Sequence, residues 1–420
     1  MGGDDLVVVT NAGGAANNKL VSTTVGASSM TNWTDVAPYN ESISFSSVRP
    51  FDRFAILQYR RGGFSRLSVV DYADGPSWAL NMSTAVELKM PEDAATVEVS
   101  GGSYDSRAFL FTYSSMTTPT ETWAYDGVMH NRTLVKENPI ASYNRSLYTS
   151  DRWEVEAADG VRIPLSVIYR TDMRAAAGTP QACHVYGYGS YGSSVDPYFW
   201  PSRISLLDRG IVHIVAHVRG GGEMGRTWYE AARLGTKNVT FTDFIAVGRA
   251  LVERGVTTSA MLSYEGISAG GLLAGAVLTM EPDLARAGVI LGVPFVDVLV
   301  TMADPSIPLT TGEWLEWGNP NTRGGYDDIS VYSPVDNVQP GTDYPPVLLT
   351  TGLMDRRVGY WEATKMAARL RAAAPEGGGA GVVLRADMDG GHFGSSDRLL
   401  LRRKQSIETA WLLARHGKTE

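Results

Sequence analysis

Ser268 stands in Gly266-Ile267-Ser268-Ala269-Gly270-Gly271, directly after the apolar run Met261-Leu262-Ser263-Tyr264 and directly before the helical run Leu272–Met280. A serine hydroxyl becomes a nucleophile when a sharp strand-to-helix turn lifts it clear of the sheet. Glycines on either side make that turn possible, because they carry no Cβ atoms to clash. The N-terminus of the following helix favours the negative charge that develops during acyl transfer. A Gly-rich turn of this kind can also be plain structure, but its place between strand and helix makes Ser268 the candidate nucleophile.

A serine nucleophile needs a base, and on a parallel sheet with this turn the acid and the base follow the serine in chain order. Of the six histidines, His130, His184, His213 and His217 precede Ser268. Three of these lie in apolar strand text, where a satisfied core histidine is expected. His416 ends an amphipathic helix, at the negative end of its dipole. His392 is left, in Asp387-Met388-Asp389-Gly390-Gly391-His392-Phe393-Gly394, a Gly-rich loop after the strand text Val382–Ala386 that can carry an imidazole over the sheet. The acid should end an earlier strand. Pro346-Val347-Leu348-Leu349-Thr350-Thr351-Gly352-Leu353-Met354-Asp355 supplies a strand, a turn and a carboxylate, so Asp355 is expected to hold the His392 tautomer and stabilise its imidazolium. Asp387 and Asp389 lie too close to His392 in sequence to face it across the loop and read as loop caps.

The elements that must position these groups are legible in outline. Up to about residue 148 the text is a series of short β-rich segments, Leu6–Thr10, Phe54–Tyr59, Leu67–Tyr72, Thr96–Val99, Arg107–Tyr113 and Glu121–Asp126, with turn residues between them. This predicts an all-β domain, and periodicity alone does not choose a propeller over a sandwich. From residue 149 to residue 420, apolar runs at His184–Tyr188, Ile211–Val218, Met261–Tyr264, Ala287–Leu291, Val347–Thr351 and Val382–Ala386 alternate with helical text at Phe244–Arg254, Gly271–Met280, Tyr360–Ala373 and Leu399–His416. Continuously apolar strands separated by helices predict a mostly parallel sheet covered on both faces, an α/β-hydrolase architecture given the serine turn.

Composition bounds the remainder. The 420 residues carry 37 Lys+Arg against 45 Asp+Glu, a net charge of −8, with 44% apolar and 20% charged residues. Such a chain is ordered and large enough for two or three domains, and it offers no basic footprint for nucleic acid or an anionic membrane. One cysteine, Cys183, excludes an internal disulfide framework and a Cys-cluster metal site, and reads as a small buried hydrophobe. No metal or cofactor is expected. No apolar run approaches the roughly 18 residues of a membrane span, and Met1-Gly2-Gly3-Asp4-Asp5 has neither a basic nor an apolar signal region, which predicts a cytoplasmic protein. The Asn-x-Ser/Thr sequons at Asn32, Asn40, Asn81, Asn131, Asn144 and Asn238 are then chance occurrences.

The ordered motifs Val185-Tyr186-Gly187-Tyr188-Gly189-Ser190-Tyr191-Gly192, His217-Val218-Arg219-Gly220-Gly221-Gly222-Glu223, Gly266–Gly271 and Ser333-Pro334-Val335-Asp336-Asn337-Val338 resemble the prolyl oligopeptidase family of serine peptidases. Leu309-Thr310-Thr311-Gly312-Glu313-Trp314-Leu315-Glu316-Trp317-Gly318-Asn319-Pro320 is similar to its oligopeptidase B branch. The resemblance runs through essentially all of residues 150–420, and it implies that the β-rich text before them is the closing part of a seven-bladed propeller. It implies cleavage of short basic peptides after Arg or Lys, with the triad Ser268, Asp355 and His392. The Tyr188 hydroxyl and the Ala269 N–H would hold the oxyanion, and Arg357 a substrate carbonyl, with Arg356 beside it a solvated surface residue. Glu313 matches the carboxylate that receives the P1 cation. A buried guanidinium needs such a counter-charge, and a bidentate pair would favour Arg over Lys. Asp196 matches an acidic residue of the P2 site.

Two family positions differ, with Leu315 and Tyr198 where acidic residues are common. Nothing matches the N-terminal segment and opening blades of the family, so the expectation is a chain that begins mid-propeller, with that half as a partner and with uncovered strand edges that favour association. Two other functions compete with an Arg/Lys-directed oligopeptidase: an esterase or acylaminoacyl hydrolase on the same fold, and an inactive truncated fragment.

Overall fold

A computed structural model of the chain describes residues 5–73, 79–375, 381–394 and 397–419, so Met1 to Asp4 of the N-terminal reading lie outside it. The described chain forms two compact units. One comprises residues 1–146 with the short segments 196–199 and 222–228, and the other holds the remainder from Leu147.

The first unit is all β. Its described strands form three antiparallel meanders, each in chain order. The first comprises β1 (Asp5–Thr10), β2 (Lys19–Thr24) and β3 (Thr34–Ala37). The second comprises β4 (Ile43–Pro50), β5 (Phe54–Arg61), β6 (Phe64–Asp71) and β7 (Val86–Glu87), and the third β8 (Ala95–Gly101), β9 (Ala108–Ser115), β10 (Glu121–Asp126) and β11 (Asn131–Glu137). Sequential up-and-down meanders pack as blades, whereas a sandwich needs crossovers between its sheets. Phe51, Phe54, Phe109, Phe111, Leu67 and Val97 make one buried cluster in this unit. Phe51 and Phe54 stack with ring centroids 4.8 Å apart, inside the range where aromatic pairs add to area burial. The segments β2, β3, β4 and β11 carry no strong sequence signal. In β11, for example, every residue is exposed, so no apolar alternation marks it.

The second unit is built on one eight-stranded sheet. Its strands are β12 (Tyr148–Glu156), β13 (Arg162–Arg170), β14 (Cys183–Gly187), β15 (Val212–Ala216), β16 (Leu262–Ile267), β17 (Gly288–Gly292), β18 (Val347–Gly352) and β19 (Val382–Asp387), in the order β12-β13-β15-β14-β16-β17-β18-β19. The run from β15 to β19 is parallel, while β12 and β13 are antiparallel additions at one edge. The apolar runs in the sequence do not mark those two strands. β12 is a run of partly exposed, mostly polar residues and so lacks the continuous apolar text of the buried strands, whereas β13 is buried from Ile163 to Ile168 with Pro164 and Ser166 interrupting its apolar text. Helices α1 (Asn238–Glu253), α2 (Ala269–Met280), α3 (Thr310–Trp317), α4 (Tyr360–Ala373) and α5 (Arg398–Arg415) belong to this unit. α2 is buried along nearly its whole length, from Ala269 to Leu278, as expected for a helix seated on the sheet centre. The core joins Val185, Ile214, Tyr264, Val289 and Leu349 of the strands to Phe244, Leu273 and Met366 of the helices.

Chain order reverses between β14 and its neighbours β15 and β16, and this is the switch point where a doubly wound sheet opens a crevice at the carboxyl ends of its strands. Tyr188 follows β14, Ser268 follows β16, and the segments carrying Asp355 and His392 follow β18 and β19. Topology therefore delivers every triad candidate to one edge of the sheet.

Candidate active site

Ser268 occupies the turn between β16 and α2 with φ 61° and ψ −120°. A side chain adopts this region only at a cost of order 1–3 kcal/mol, met by the surrounding structure. Two contacts make the flanking glycines obligatory. A Cβ on Gly266 would run into the carbonyl of Gly270, and one on Gly270 would lie 2.7 Å from the Gly187 carbonyl oxygen and against the Tyr188 ring. The turn is pinned by the Ser268 N–H donating to the Gly292 carbonyl at 2.8 Å and by the Phe295 N–H donating to the Ser268 carbonyl at 3.2 Å.

His392 Nε2 lies 3.0 Å from Ser268 Oγ, and His392 Nδ1 lies 2.7 Å from Asp355 Oδ2. The second carboxylate oxygen of Asp355 accepts the N–H groups of Arg357 at 2.8 Å and Val358 at 2.9 Å. Burial, the largest single influence, pushes the Asp355 carboxyl up, but His392 and the two N–H groups together outweigh it and hold it below its ordinary value. Asp355 is therefore ionised at neutral pH and keeps the Nδ1 proton facing itself, which leaves Nε2 free to accept from the serine. Asp387 is instead turned into its own loop, where Oδ1 accepts from the Asp389 and Gly390 N–H groups.

A cavity of about 580 Å³ opens beside Ser268, lined by Tyr188, Ala269, Phe295, Glu313, Arg356 and Arg357 among others. Burial first, and then the negative charge of Glu313 and Glu316, pushes the Tyr188 phenol up to about 12, so it remains a hydrogen-bond donor across the working pH range. Ala269 opens α2, where first-turn N–H groups have no partner within the helix. The Arg357 guanidinium sits 5.3 Å from the Phe393 ring centroid. Arg356 is exposed, as read from the sequence, but it also lines the cavity.

Glu313 Oε2 accepts from the Tyr191 hydroxyl and from Trp317 Nε1, both at 2.8 Å. Trp317 lies one helical turn beyond Glu313 on α3, so its indole supports the carboxylate from the same helix face. The sequence alone does not single out Tyr191 or Trp317. The usable signal is the four-residue spacing of Glu313 and Trp317, which becomes visible only once α3 is recognised as a helix.

Three residues read from the sequence have further partners in the structure. Asp196 belongs with the β unit, where Arg60 pairs with it, Nη2 to Oδ1 at 2.5 Å and Nη1 to Oδ2 at 3.2 Å. It is absent from the residues lining the cavity. His416 gains nothing as a cation at a helix terminus. Burial, the largest cause, lowers it to about 4, and its Nε2 bonds Ser263 Oγ at 2.8 Å. The side-on pairing of Glu313 with a P1 guanidinium is restricted as well, because Oε2 already serves two donors and no described side chain bonds Oε1.

Comparisons with known proteins identify the family. Residues 197–419 match the prolyl oligopeptidase family model, and residues 1–138 match the model of the prolyl oligopeptidase N-terminal beta-propeller domain. The chain belongs to the prolyl oligopeptidase family. Its α/β-hydrolase unit and its propeller-type β unit are the two parts of that family's architecture. Among family relatives it is 40% identical to dipeptidyl aminopeptidase BI of Pseudoxanthomonas mexicana, over 99% of this chain and 56% of the relative. It is 36% identical to protease 2 of Moraxella lacunata, over 99% and 58% respectively. Oligopeptidase B from Trypanosoma brucei with covalently bound antipain, in a closed form, superposes with a TM-score of 0.91 at 41% identity, over 99% of this chain and 58% of that one. The chain thus spans a little over half the length of the relatives it matches. No helix among the described residues is long and apolar enough to cross a membrane.

Proposed function

We propose that the chain is a serine oligopeptidase that hydrolyses short peptides on the carboxyl side of Arg or Lys, working in the cytoplasm. The observation that carries the reading is the continuous bond path from Ser268 Oγ through His392 to Asp355 at the mouth of a cavity that contains the Glu313 carboxylate. As Ser268 Oγ attacks the scissile carbonyl carbon, His392 Nε2 takes the hydroxyl proton. The carbonyl π electrons pass to oxygen, where the Tyr188 hydroxyl and the Ala269 N–H receive the charge. The intermediate collapses, the C–N bond breaks, and His392 returns the proton to the leaving amine. Water, deprotonated by His392 in the same way, then releases the acid from Ser268. Asp355 remains ionised throughout and stabilises the imidazolium. The family relatives named as an oligopeptidase B and as protease 2 support the peptidase assignment.

Glu313 supports the basic P1 preference, and its free oxygen Oε1 favours end-on capture of either an ammonium or a guanidinium. Asp196 would serve a P2 cation only by opening its pair with Arg60. The apolar wall of Phe295, Met302, Pro308 and Leu309 favours a second reading, a hydrolase of neutral acyl groups on the same triad. The test is turnover of arginyl, lysyl and leucyl amides together with a short acyl ester. Cleavage confined to the arginyl and lysyl amides upholds the proposal. Preference for the ester or the leucyl amide replaces it with the second reading, and absence of all turnover replaces it with an inactive fragment.

A further inference from the structure

Lys237 is a buried cation with no part in the steps above. Its side chain is 1% exposed. It stands immediately before α1, and its ammonium reaches the turn that carries Tyr188, donating to the Gly189 carbonyl at 2.6 Å and to Ser190 Oγ at 3.0 Å. Glu316 Oε1 lies 4.0 Å away, and the Trp317 ring centroid 5.1 Å away. Glu316 holds the same turn, since the Oε1 beside Lys237 accepts the Tyr191 N–H at 2.9 Å, while Oε2 accepts the Tyr229 hydroxyl. Ser190, Glu316 and Trp317 are all buried.

The turn needs such a grip. Gly189 has φ 69° and Tyr191 has φ 60°, and the second value is unfavourable for a residue with a side chain. Released, Tyr191 gains by returning to negative φ, which turns the Ser190–Tyr191 peptide and with it shifts Gly189 and the residue before that. That residue is Tyr188. An isolated ammonium would not be placed in such a site for packing alone, because desolvation is costly. Here burial lowers its pKa to about 7, with Glu316 opposing the shift.

We propose that Lys237 is a positioning residue: with Glu316 it clamps the Gly189–Tyr191 turn and so aims the Tyr188 hydroxyl at the oxyanion. The proposal rests on the acyl-serine chemistry above but not on the basic P1 preference, and its test is therefore made without peptide. The rate at which a neutral alkyl fluorophosphonate labels Ser268 is measured for the unsubstituted chain, Tyr188→Phe, Lys237→Met and the double variant, with thermal melting of each.

We expect Tyr188→Phe to slow labelling about 100-fold, within the range for loss of one oxyanion donor. Lys237→Met should slow it about 10-fold, with no further slowing once Tyr188 is already Phe. Equal slowing by Lys237→Met in both backgrounds overturns the proposal, because Lys237 then acts independently of Tyr188. Unchanged labelling with a lowered melting temperature overturns it too and leaves Lys237 a structural residue. If Lys237→Met gives no folded protein, Lys237→Gln, which keeps a donor on a shorter arm, is carried through the same cycle: slowing that vanishes in the Tyr188→Phe background upholds the proposal, and slowing that persists there, or unchanged labelling, overturns it. A chain that labels but cleaves no arginyl or lysyl amide removes the substrate reading and leaves this inference standing. A chain that does not label removes both.

Discussion

Two serines five positions apart in the second unit each bond a histidine, yet only one site is built for chemistry. Ser268 Oγ lies 3.0 Å from His392 Nε2, and that imidazole bonds Asp355. Ser263 Oγ lies 2.9 Å from His184 Nδ1 and 2.8 Å from His416 Nε2, and His184 Nε2 in turn lies 3.0 Å from Glu265, which also holds Arg203 at 2.7 Å. Read as a bond diagram, Ser263–His184–Glu265 has the connectivity of a triad. The difference lies in the surroundings. Ser263 is an ordinary strand residue near the start of β16, fully buried, and it lines no part of the cavity beside Ser268. Ser268 is lifted by a positive-φ turn onto the cavity edge at the start of a helix. Acyl-serine chemistry depends on access, on strain that exposes the hydroxyl, and on donors waiting for charge, and a serine–histidine hydrogen bond supplies none of these.

The largest effect should come from the two serines themselves. Ser268→Ala should abolish fluorophosphonate labelling and all turnover, a loss of order 10⁶ judged from other serine hydrolases, whereas Ser263→Ala should leave the labelling rate within a few-fold. His392→Ala should match Ser268→Ala, with no added loss in the double variant, since the two act as a unit. Labelling that survives Ser268→Ala but not Ser263→Ala would reverse the comparison.

The next effect separates donors from bystanders. Tyr188→Phe keeps the ring against Gly270 and removes only the hydroxyl, so kcat should fall about 10²–10³-fold for arginyl and leucyl amides alike, with KM little changed. A fall confined to arginyl amides would move Tyr188 from the oxyanion to the P1 pocket.

A smaller and selective effect is expected at Glu313. Glu313→Gln leaves an amide oxygen for Tyr191 and Trp317 but removes the charge, so kcat/KM should fall about 10–100-fold for Arg and Lys at P1. That corresponds to about 1.5–3 kcal/mol for a hydrogen bond to a charged group. Because only Oε1 is free, Arg and Lys should lose by similar factors. A much larger loss for Arg would mean that Tyr191 or Trp317 gives way and the pair becomes bidentate.

The parts that can be read from sequence are those whose signal is local. Ser268 is flanked by glycines whose Cβ atoms have no room, and α4 appears at its expected bounds, Tyr360–Ala373, because its buried positions Ala363, Met366, Ala367 and Leu370 follow the helical period. Asp355 and His392 can be found because chain order on this fold is fixed. What escapes depends on partners distant in sequence. Asp196 is claimed by Arg60, 136 positions away, and nothing local in the sequence marks Lys237, whose ammonium bonds Gly189 and Ser190, 48 and 47 positions earlier. His416 reads as a helix-end cation, which is what its own helix suggests, but the core it enters is built by β14 and β16. Short helix α3 is hidden behind Leu309, whose φ of 80° is not a conformation that a leucine advertises.

The smallest effect concerns the buried cluster around Ser263, and it acts on stability. Burial is the first cause that lowers His416, to about 4, and His184 and His213 are lowered with it, again chiefly by burial. Unfolded, these imidazoles regain ordinary values near 6.5. Between about pH 6.5 and 4 the unfolded chain therefore binds protons that the folded chain refuses, and stability falls as the pH falls through that window. Glu362 and Glu408, both raised to about 7 mainly by burial, work in the opposite direction. They hold protons in the folded chain that the unfolded carboxyls lose above about pH 4.5, so their contribution to stability fades as the pH rises toward 7. His416→Gln keeps a side-chain amide near Ser263 and removes one of the acid-sensitive groups. Thermal melting from pH 7 to pH 4 should show the unsubstituted chain losing stability toward pH 4 more steeply than the variant, by about 3 kcal/mol at roughly 1.4 kcal/mol per pKa unit. The rate of Ser268 labelling at pH 7 should be the same in both. If the two melting curves run parallel, His416 is protonated without cost in the folded chain and its bond to Ser263 is not what docks the end of α5. If labelling falls as well, the Ser263 cluster is tied to the catalytic edge of the sheet, and the two serine sites are not the independent structures that their geometry describes.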